Sequence, residues 1–203
     1  MLNTILSGAG QMFGYALVAI FIENTILSRA LGTSTSLWTI RKKYSILLFG
    51  AVLTIITTVT SALAYALQPF IKSLNNSYYV LPLIYVAIIS VVYILMLLIT
   101  NRLKLKQKKT IRIFIHRCAF NCAVLGGLLL STQANLSLLG FIGFGIGTGV
   151  GFTLATALID FNHDKLHGEH ISKAFRGFPA ILIYIGILSL AVYGMIGGHE
   201  LPI

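Results

Sequence analysis

The chain has 203 residues, of which 57% are hydrophobic and only 10% charged, and its mean hydropathy is +0.89. A water-soluble domain carries about 25% charged residues, so this chain has too few to coat a globule in water. That excludes a soluble enzyme, a secreted disulfide scaffold and a disordered chain. The net charge of +10, from 15 Lys+Arg against 5 Asp+Glu, does not point to nucleic acid. The basic residues sit in short clusters between apolar runs, where membrane topology asks for them.

Six apolar stretches follow in order, at about 11–31, 45–67, 79–99, 113–130, 136–159 and 179–196. Each is near the roughly 20 residues that span a bilayer as a helix, and the strict alternation of a β-barrel is absent. The expected fold is therefore an all-α polytopic membrane protein with six transmembrane helices. It reads as a single membrane domain, 1–203, with halves at about 1–100 and 113–203 and a basic linker at 101–112. The first residues carry no basic start and no clear cleavage site, so no cleavable signal peptide is expected.

Every basic residue except Lys72 falls at or near the loop after the first, third or fifth stretch, including Arg29 near the end of the first, Arg41, Arg102, Lys108, Arg112, Lys165 and Arg176, with Arg117 just inside the fourth. The positive-inside rule then puts these loops in the cytoplasm and both termini outside, in a multi-pass protein of the cell membrane. Three spans on each side of the linker force the halves into opposite orientations, the arrangement of an inverted 3+3 repeat. Asn24 and Asn121 support it: each lies in an apolar run within the first span of its half.

Polar groups inside a span mark its special points. Glu23 is the only acidic residue within a span apart from Asp160 at the end of the fifth. A mid-span carboxylate costs about 2.5–3.5 kcal/mol on insertion scales. With Asn24 it indicates a broken first helix, and Asn121 a broken fourth, with freed backbone groups facing an ion path or cofactor. The simpler reading has Glu23 near the inner boundary, bonded to Arg29 or to another helix. Cys118 and Cys122, four residues apart, read as sharing one helix face; they are candidate iron–sulfur thiolates or merely small buried apolar residues. A disulfide between them is geometrically disfavoured.

The alternating glycines Gly143, Gly145, Gly147, Gly149 and Gly151 lack the strand and soluble βαβ unit that a dinucleotide loop requires. They predict a broken or very tightly packed helix. His163, His167 and His170, with Asp164 and Glu169, read as a solvated loop more readily than as a metal cluster.

These motifs together resemble the six-helix integral membrane subunits of the Rnf and Nqr electron-transport complexes. Phe21-Ile22-Glu23-Asn24 through Leu31-Gly32 resembles the family's first-helix motif, and Asn121-Cys122-Ala123-Val124-Leu125-Gly126-Gly127 its fourth. Gly145-Ile146-Gly147 through Ala155 resembles the glycine-rich fifth helix, and Phe175-Arg176-Gly177 with Ile185-Gly186-Ile187-Leu188-Ser189-Leu190 the last loop and helix. The second and third spans match only in hydropathy.

The resemblance implies an inverted repeat and pairing with a related six-helix subunit within a membrane redox complex. It further implies a [2Fe–2S] cluster held by one cysteine from each half of both subunits. Electron transfer would be coupled to Na⁺ or H⁺ movement, without NADH binding by this chain. Cys122 stands at the second-half cysteine, but the first-half position holds Ser34, with Cys118 one turn from Cys122 as a substitute thiol. An alcohol is a poor replacement for a thiolate on iron. The alternative is a divergent homologue without a cluster, acting as a small transporter or structural assembly subunit.

Overall fold

In hydrocarbon, each backbone N–H and C=O must be satisfied within its own segment or by protein, so the apolar stretches become helices. The computed structural model describes residues 2–41, 45–72, 77–102, 107–166, 172 and 175–196. Among them lie α1 (Leu2–Leu17), a π-helical turn (Val18–Ile22), α2 (Thr33–Arg41), α3 (Ile46–Lys72), α4 (Ser77–Arg102), α5 (Lys108–Ala119), α6 (Cys122–Gln133), α7 (Leu138–Leu166) and α8 (Phe178–Ile196), with no strand.

Three segments are individually long and apolar enough to cross a membrane: Ile46–Ile71, Tyr79–Arg102 and Leu138–His163. The pair α5 and α6, bent by 46° at the break between them, is long and apolar enough for a fourth if taken as one broken span. Gly8–Ile22 and Phe178–Gly194 are shorter apolar helices. In order these are the six apolar stretches, but the first is not one helix over 11–31. It is helical from Leu2 to Ile22 and irregular until α2 begins at Thr33. The linker at 101–112 is helical at both ends, since α4 runs to Arg102 and α5 starts at Lys108. Asp160 is likewise not a terminus, because α7 continues to Leu166.

α7 is the axis of the molecule, packed mainly against α3 and α1. Its alternating glycines explain how, and the helix is unbroken through them. Gly143, Gly147 and Gly151 recur every fourth residue; the first two face α1 and the third the π-helical turn that continues it. A Cβ on Gly143 would run into the Met12 carbonyl and one on Gly147 into that of Ala16; at Gly151 it would stand 3.0 Å from the Ala19 oxygen. Gly145 and Gly149 occupy the other face and meet α3 at Thr57 and Thr54. Without side chains, both neighbours reach the α7 backbone, the close approach that drives helix association where lipid removes the hydrophobic term.

The α3–α7 contact is antiparallel and reciprocal. Gly50 of α3 lies against Thr153, and Gly149 of α7 against Thr54. Each threonine turns its hydroxyl back onto its own helix, Thr54 Oγ1 donating to the Gly50 carbonyl at 2.7 Å and Thr153 Oγ1 to that of Gly149 at 2.8 Å. Thr57 Oγ1 crosses the interface to the Gly145 carbonyl at 2.8 Å. The spacing Gly50-x3-Thr54-x2-Thr57 recurs as Gly149-x3-Thr153-x2-Thr156. On the outside, α4 and α8 show apolar side chains such as Leu83 and Leu190, exposed by 71% and 72%. That is the surface a bilayer covers.

Candidate functional site

The first break begins with the π-helical turn, whose wider hydrogen-bond register releases carbonyls that a plain α-helix would use. Glu23 ends it with φ −95° and ψ 41°, its N–H donating to the Val18 carbonyl. Asn24, fully buried, then closes the gap with four hydrogen bonds. Its Nδ2 donates to the carbonyls of Ile20 at 2.8 Å and Gly151 at 3.0 Å. Its Oδ1 accepts from the N–H groups of Ile26 at 3.1 Å and Leu27 at 3.2 Å. Ser28 Oγ donates to the Ile22 carbonyl at 2.5 Å. The irregular backbone is thus satisfied partly by these side chains and partly by turn bonds of its own, the N–H groups of Ser28, Ala30 and Leu31 donating to the carbonyls of Asn24, Ile26 and Thr25, as buried polar groups require.

Glu23 pairs with Arg29, 3.3 Å from its Nη2. The carboxylate's counter-charge lies in the same loop, which is the geometry of the simpler reading. The loop ends through two positive-φ residues, Ala30 (55°) and Gly32 (79°).

The second break is shorter. α5 stops at Phe120, and Asn121, extended at φ −93° and ψ 130°, caps α6 by accepting the Ala123 N–H at 3.1 Å. An Asn at this position is a favoured N-cap because its oxygen replaces a missing turn of helix. The two cysteines consequently do not share one helix: Cys118 ends α5 and Cys122 begins α6. Cys118 is buried and its thiol points at the Phe49 carbonyl, 3.8 Å away, whereas Cys122 is exposed. Ser34, in the first turn of α2, is exposed as well.

The breaks meet. A Cβ on Gly32 would stand 2.5 Å from Asn121 Oδ1 and 2.7 Å from the Phe152 ring, and Gly126 lies against the Leu31 side chain. Through Asn24–Gly151 and Gly32–Phe152 the first break rests on the middle of α7, with Asn121 beside it. Thr25 Oγ1, Ser36 Oγ and Asn121 Nδ2 are buried there with no hydrogen-bond partner among the described residues. Orphan polar atoms in an apolar interior are costly; water or a hard cation would satisfy the two hydroxyl oxygens, and water or an anion the amide. Thr25 and Ser36 escaped the sequence reading because isolated hydroxyl residues are common in membrane helices. Their signal would have been their nearness to Glu23-Asn24 and to Ser34.

A cleft borders each break. Ser28, Arg29 and Thr33 line the first with Leu182, Ile185 and Ser189 of α8. Phe120, Cys122 and Leu125 line the second with Val86 and Ile89 of α4. No group of three or more His, Cys, Asp and Glu that could hold a metal occurs among the described residues. Of the histidine cluster, residues 167, 169 and 170 lie outside the described residues, as does the side chain of Asp164.

Comparison with known proteins identifies the chain's relatives. The family model described as "Rnf-Nqr subunit, membrane protein" matches residues 12–198. The chain is 28% identical to a subunit of the Na⁺-translocating ferredoxin:NAD⁺ oxidoreductase complex of Acetobacterium woodii, over 88% of this chain and 93% of that one. It is 30% identical to a subunit of the ion-translocating oxidoreductase complex of Syntrophotalea carbinolica, with the same coverage. Against the like-named protein from Vibrio cholerae the identity is 25%, over 88% of this chain and 92% of the relative.

Proposed function

Because the chain belongs to the Rnf-Nqr family of membrane subunits, we propose that it is an integral subunit of an ion-translocating electron-transport complex. In this reading it supports electron transfer across the membrane coupled to Na⁺ or H⁺ movement. The observation that carries the reading is the pair of helix breaks packed together on α7, with Glu23 in one and the orphan polar atoms of Thr25, Ser36 and Asn121 around them. Such breaks are where membrane proteins place ions, since irregular backbone at membrane depth survives only in protein or along a cavity. The relatives' names supply the complex; the related six-helix partner within it is part of the proposal.

Two observations support an inverted repeat. The Gly-x3-Thr-x2-Thr spacing of α3 recurs in α7, and the helices cross antiparallel with each glycine against the other's threonine. Each break also borders the last helix of the opposite half, α8 for the first and α4 for the second. With basic loops cytoplasmic, both termini lie outside.

The cofactor implied by this assignment is a [2Fe–2S] cluster shared with the partner. Toward it the chain offers one exposed thiol, Cys122, and at the first-half position the hydroxyl of Ser34. That donor set does not fit a four-thiolate site: serine's harder, far less acidic oxygen suits iron poorly. Cys118, buried against Phe49 in α5, does not face the same way as Cys122 and is no substitute without rearrangement. Ser34 also favours a second reading, in which the chain keeps the scaffold and acts in transport or assembly without a cluster.

Iron and acid-labile sulfide in the purified chain, alone and co-expressed with its genomic neighbours, separate these readings. Metal that disappears in Cys122→Ala supports electron transfer; no iron in an intact assembly removes it. Glu23→Gln then distinguishes transport from assembly. Lost ion-coupled activity with normal assembly favours the former, and lost assembly the latter.

A further inference from the structure

We propose that the basic face where α4 ends and α5 begins is a binding site for the headgroup of an anionic phospholipid. Every charged residue in 24–159 is basic. At this corner Arg102, Lys109 and Arg112 are exposed and Lys108 is half-buried. Asn101 holds two of them side by side. Its carbonyl accepts from Lys108 Nζ at 2.7 Å, and its side-chain Oδ1 accepts from Arg112 Nη2 at 2.5 Å. Two cations are thereby fixed on one residue, and neither uses up its donors. The ammonium retains two N–H groups and the guanidinium four.

No carboxylate among the described residues answers them. Glu23 is engaged by Arg29, and Asp160 lies in a different cleft, between α3 and α7 with Thr54 and Thr153. Like charges held together without a counter-charge repel, so an external anion is the complement this face lacks.

Its position identifies the anion's source. The cations begin where the lipid-exposed side of α4 ends, with Leu95, Leu98 and Ile99 exposed by 46%, 57% and 53%, and Ile113 of α5 by 39% beside them. A phosphodiester at Lys108 and Arg112 has an apolar track for its acyl chains immediately below. A soluble acidic protein would leave that track unused. Juxtamembrane cations attract anionic lipid with a strength of about 1 kcal/mol each.

The test titrates the detergent-purified full chain with phosphatidylglycerol or phosphatidylcholine and counts bound lipid by native mass spectrometry. Phosphatidylglycerol is expected to bind about 600-fold more tightly, about fivefold for each of the four cations. Arg112→Gln should weaken it about fivefold, and the triple change Lys108→Gln, Lys109→Gln, Arg112→Gln should cut the preference to about fivefold, that of Arg102 alone, with phosphatidylcholine unaffected. Asn101→Ala keeps every charge and the backbone carbonyl under Lys108 but loses the Oδ1 that holds Arg112, so a selective loss for phosphatidylglycerol supports an organised site. Equal affinities of the wild type for the two lipids overturn the proposal, whether or not a polyglutamate peptide binds instead. A triple variant that keeps the full preference also overturns it. Should that variant not stay monodisperse, Arg112→Gln carries the comparison, and an unchanged affinity is the adverse result.

Discussion

Asn24 is the side chain on which the first break depends most, and its replacement gives a graded test. Asn24→Ala removes the acceptor of the Ile26 and Leu27 N–H groups and the donor to the Ile20 and Gly151 carbonyls. The Gly151 carbonyl lies within α7 and keeps its helical partner position, so its loss is small. Three groups remain to be counted, in a region where Asn24 and Ile26 have no exposure and Leu27 only 6%. An unsatisfied buried group costs about 1–3 kcal/mol. Rearrangement of the loop lowers the sum, and hydrogen bonds in membrane proteins run weaker because the unfolded chain finds partners too. We expect a loss of about 3–5 kcal/mol, a large part of the roughly 5–15 kcal/mol that holds a domain together. At about 2–4 °C per kcal/mol for a chain of this size, the midpoint of thermal unfolding falls by about 10 °C. Asn24→Ser retains an acceptor for the two N–H groups and should recover about half the loss. Asn24→Asp retains the acceptors but turns an oxygen toward two carbonyls, and should be no better than alanine. The assay is far-UV circular dichroism against temperature in detergent, with size-exclusion retention as a second readout. An alanine variant within about 2 °C of wild type, or a serine variant no better than alanine, would refute the reasoning.

Three further outcomes follow from the packing. Gly32→Ala places a Cβ at a φ of 79° and against Asn121 and Phe152; left-handed backbone costs about 1–2 kcal/mol and overpacking about 1–3 more, so membrane accumulation should fall, and equal accumulation would remove the claimed contact between the breaks. Gly149→Leu drives a branched side chain into the Thr54 backbone and should abolish a monodisperse peak, whereas Gly186→Leu, with open space around its Cβ position, should leave it intact. Maleimide should label Cys122 and leave Cys118 unmodified until the chain is denatured, since one is exposed and the other buried; rapid labelling of Cys118→Ser at the wild-type rate would confirm which thiol reacts, and loss of labelling in it would reverse the assignment.

How much of this was legible in the sequence depends on what each residue needs from its neighbours. The break at Glu23-Asn24 could be read because a carboxylate and an amide in an apolar run demand partners wherever they are placed. Asn121 could be read for the same reason and for its value as a helix cap. The Cys118–Cys122 relationship could not. Spacing of four residues assumes a continuous helix, and the cap that Asn121 supplies is itself what ends that continuity. Nor was the joining of the two breaks visible, since Gly32 offers no side chain and its role is to let Asn121 and Phe152 come close.

The glycine run shows most clearly where local reading stops. Alternation every two residues cannot serve one helical face, so it leaves a choice between a broken helix and a tightly packed one. The choice is made by partners far away in the chain. α1 and the π-helical turn that continues it claim Gly143, Gly147 and Gly151, while α3 claims Gly145 and Gly149. Two stripes of period four, interleaved, produce an apparent period of two, and α7 stays whole because both of its sides are filled by backbone. The same logic would have exposed the α3 partner beforehand: Gly50-x3-Thr54-x2-Thr57 is apolar filler when read alone, and becomes a packing surface only beside Gly149-x3-Thr153-x2-Thr156. The two glycine faces of α7 leave no room for a large side chain where α1 and α3 approach, and the polar groups of the breaks come from the segments beside it. Both breaks lie there, meeting at Gly32 and Asn121, with the first resting on the Gly151–Phe152 segment.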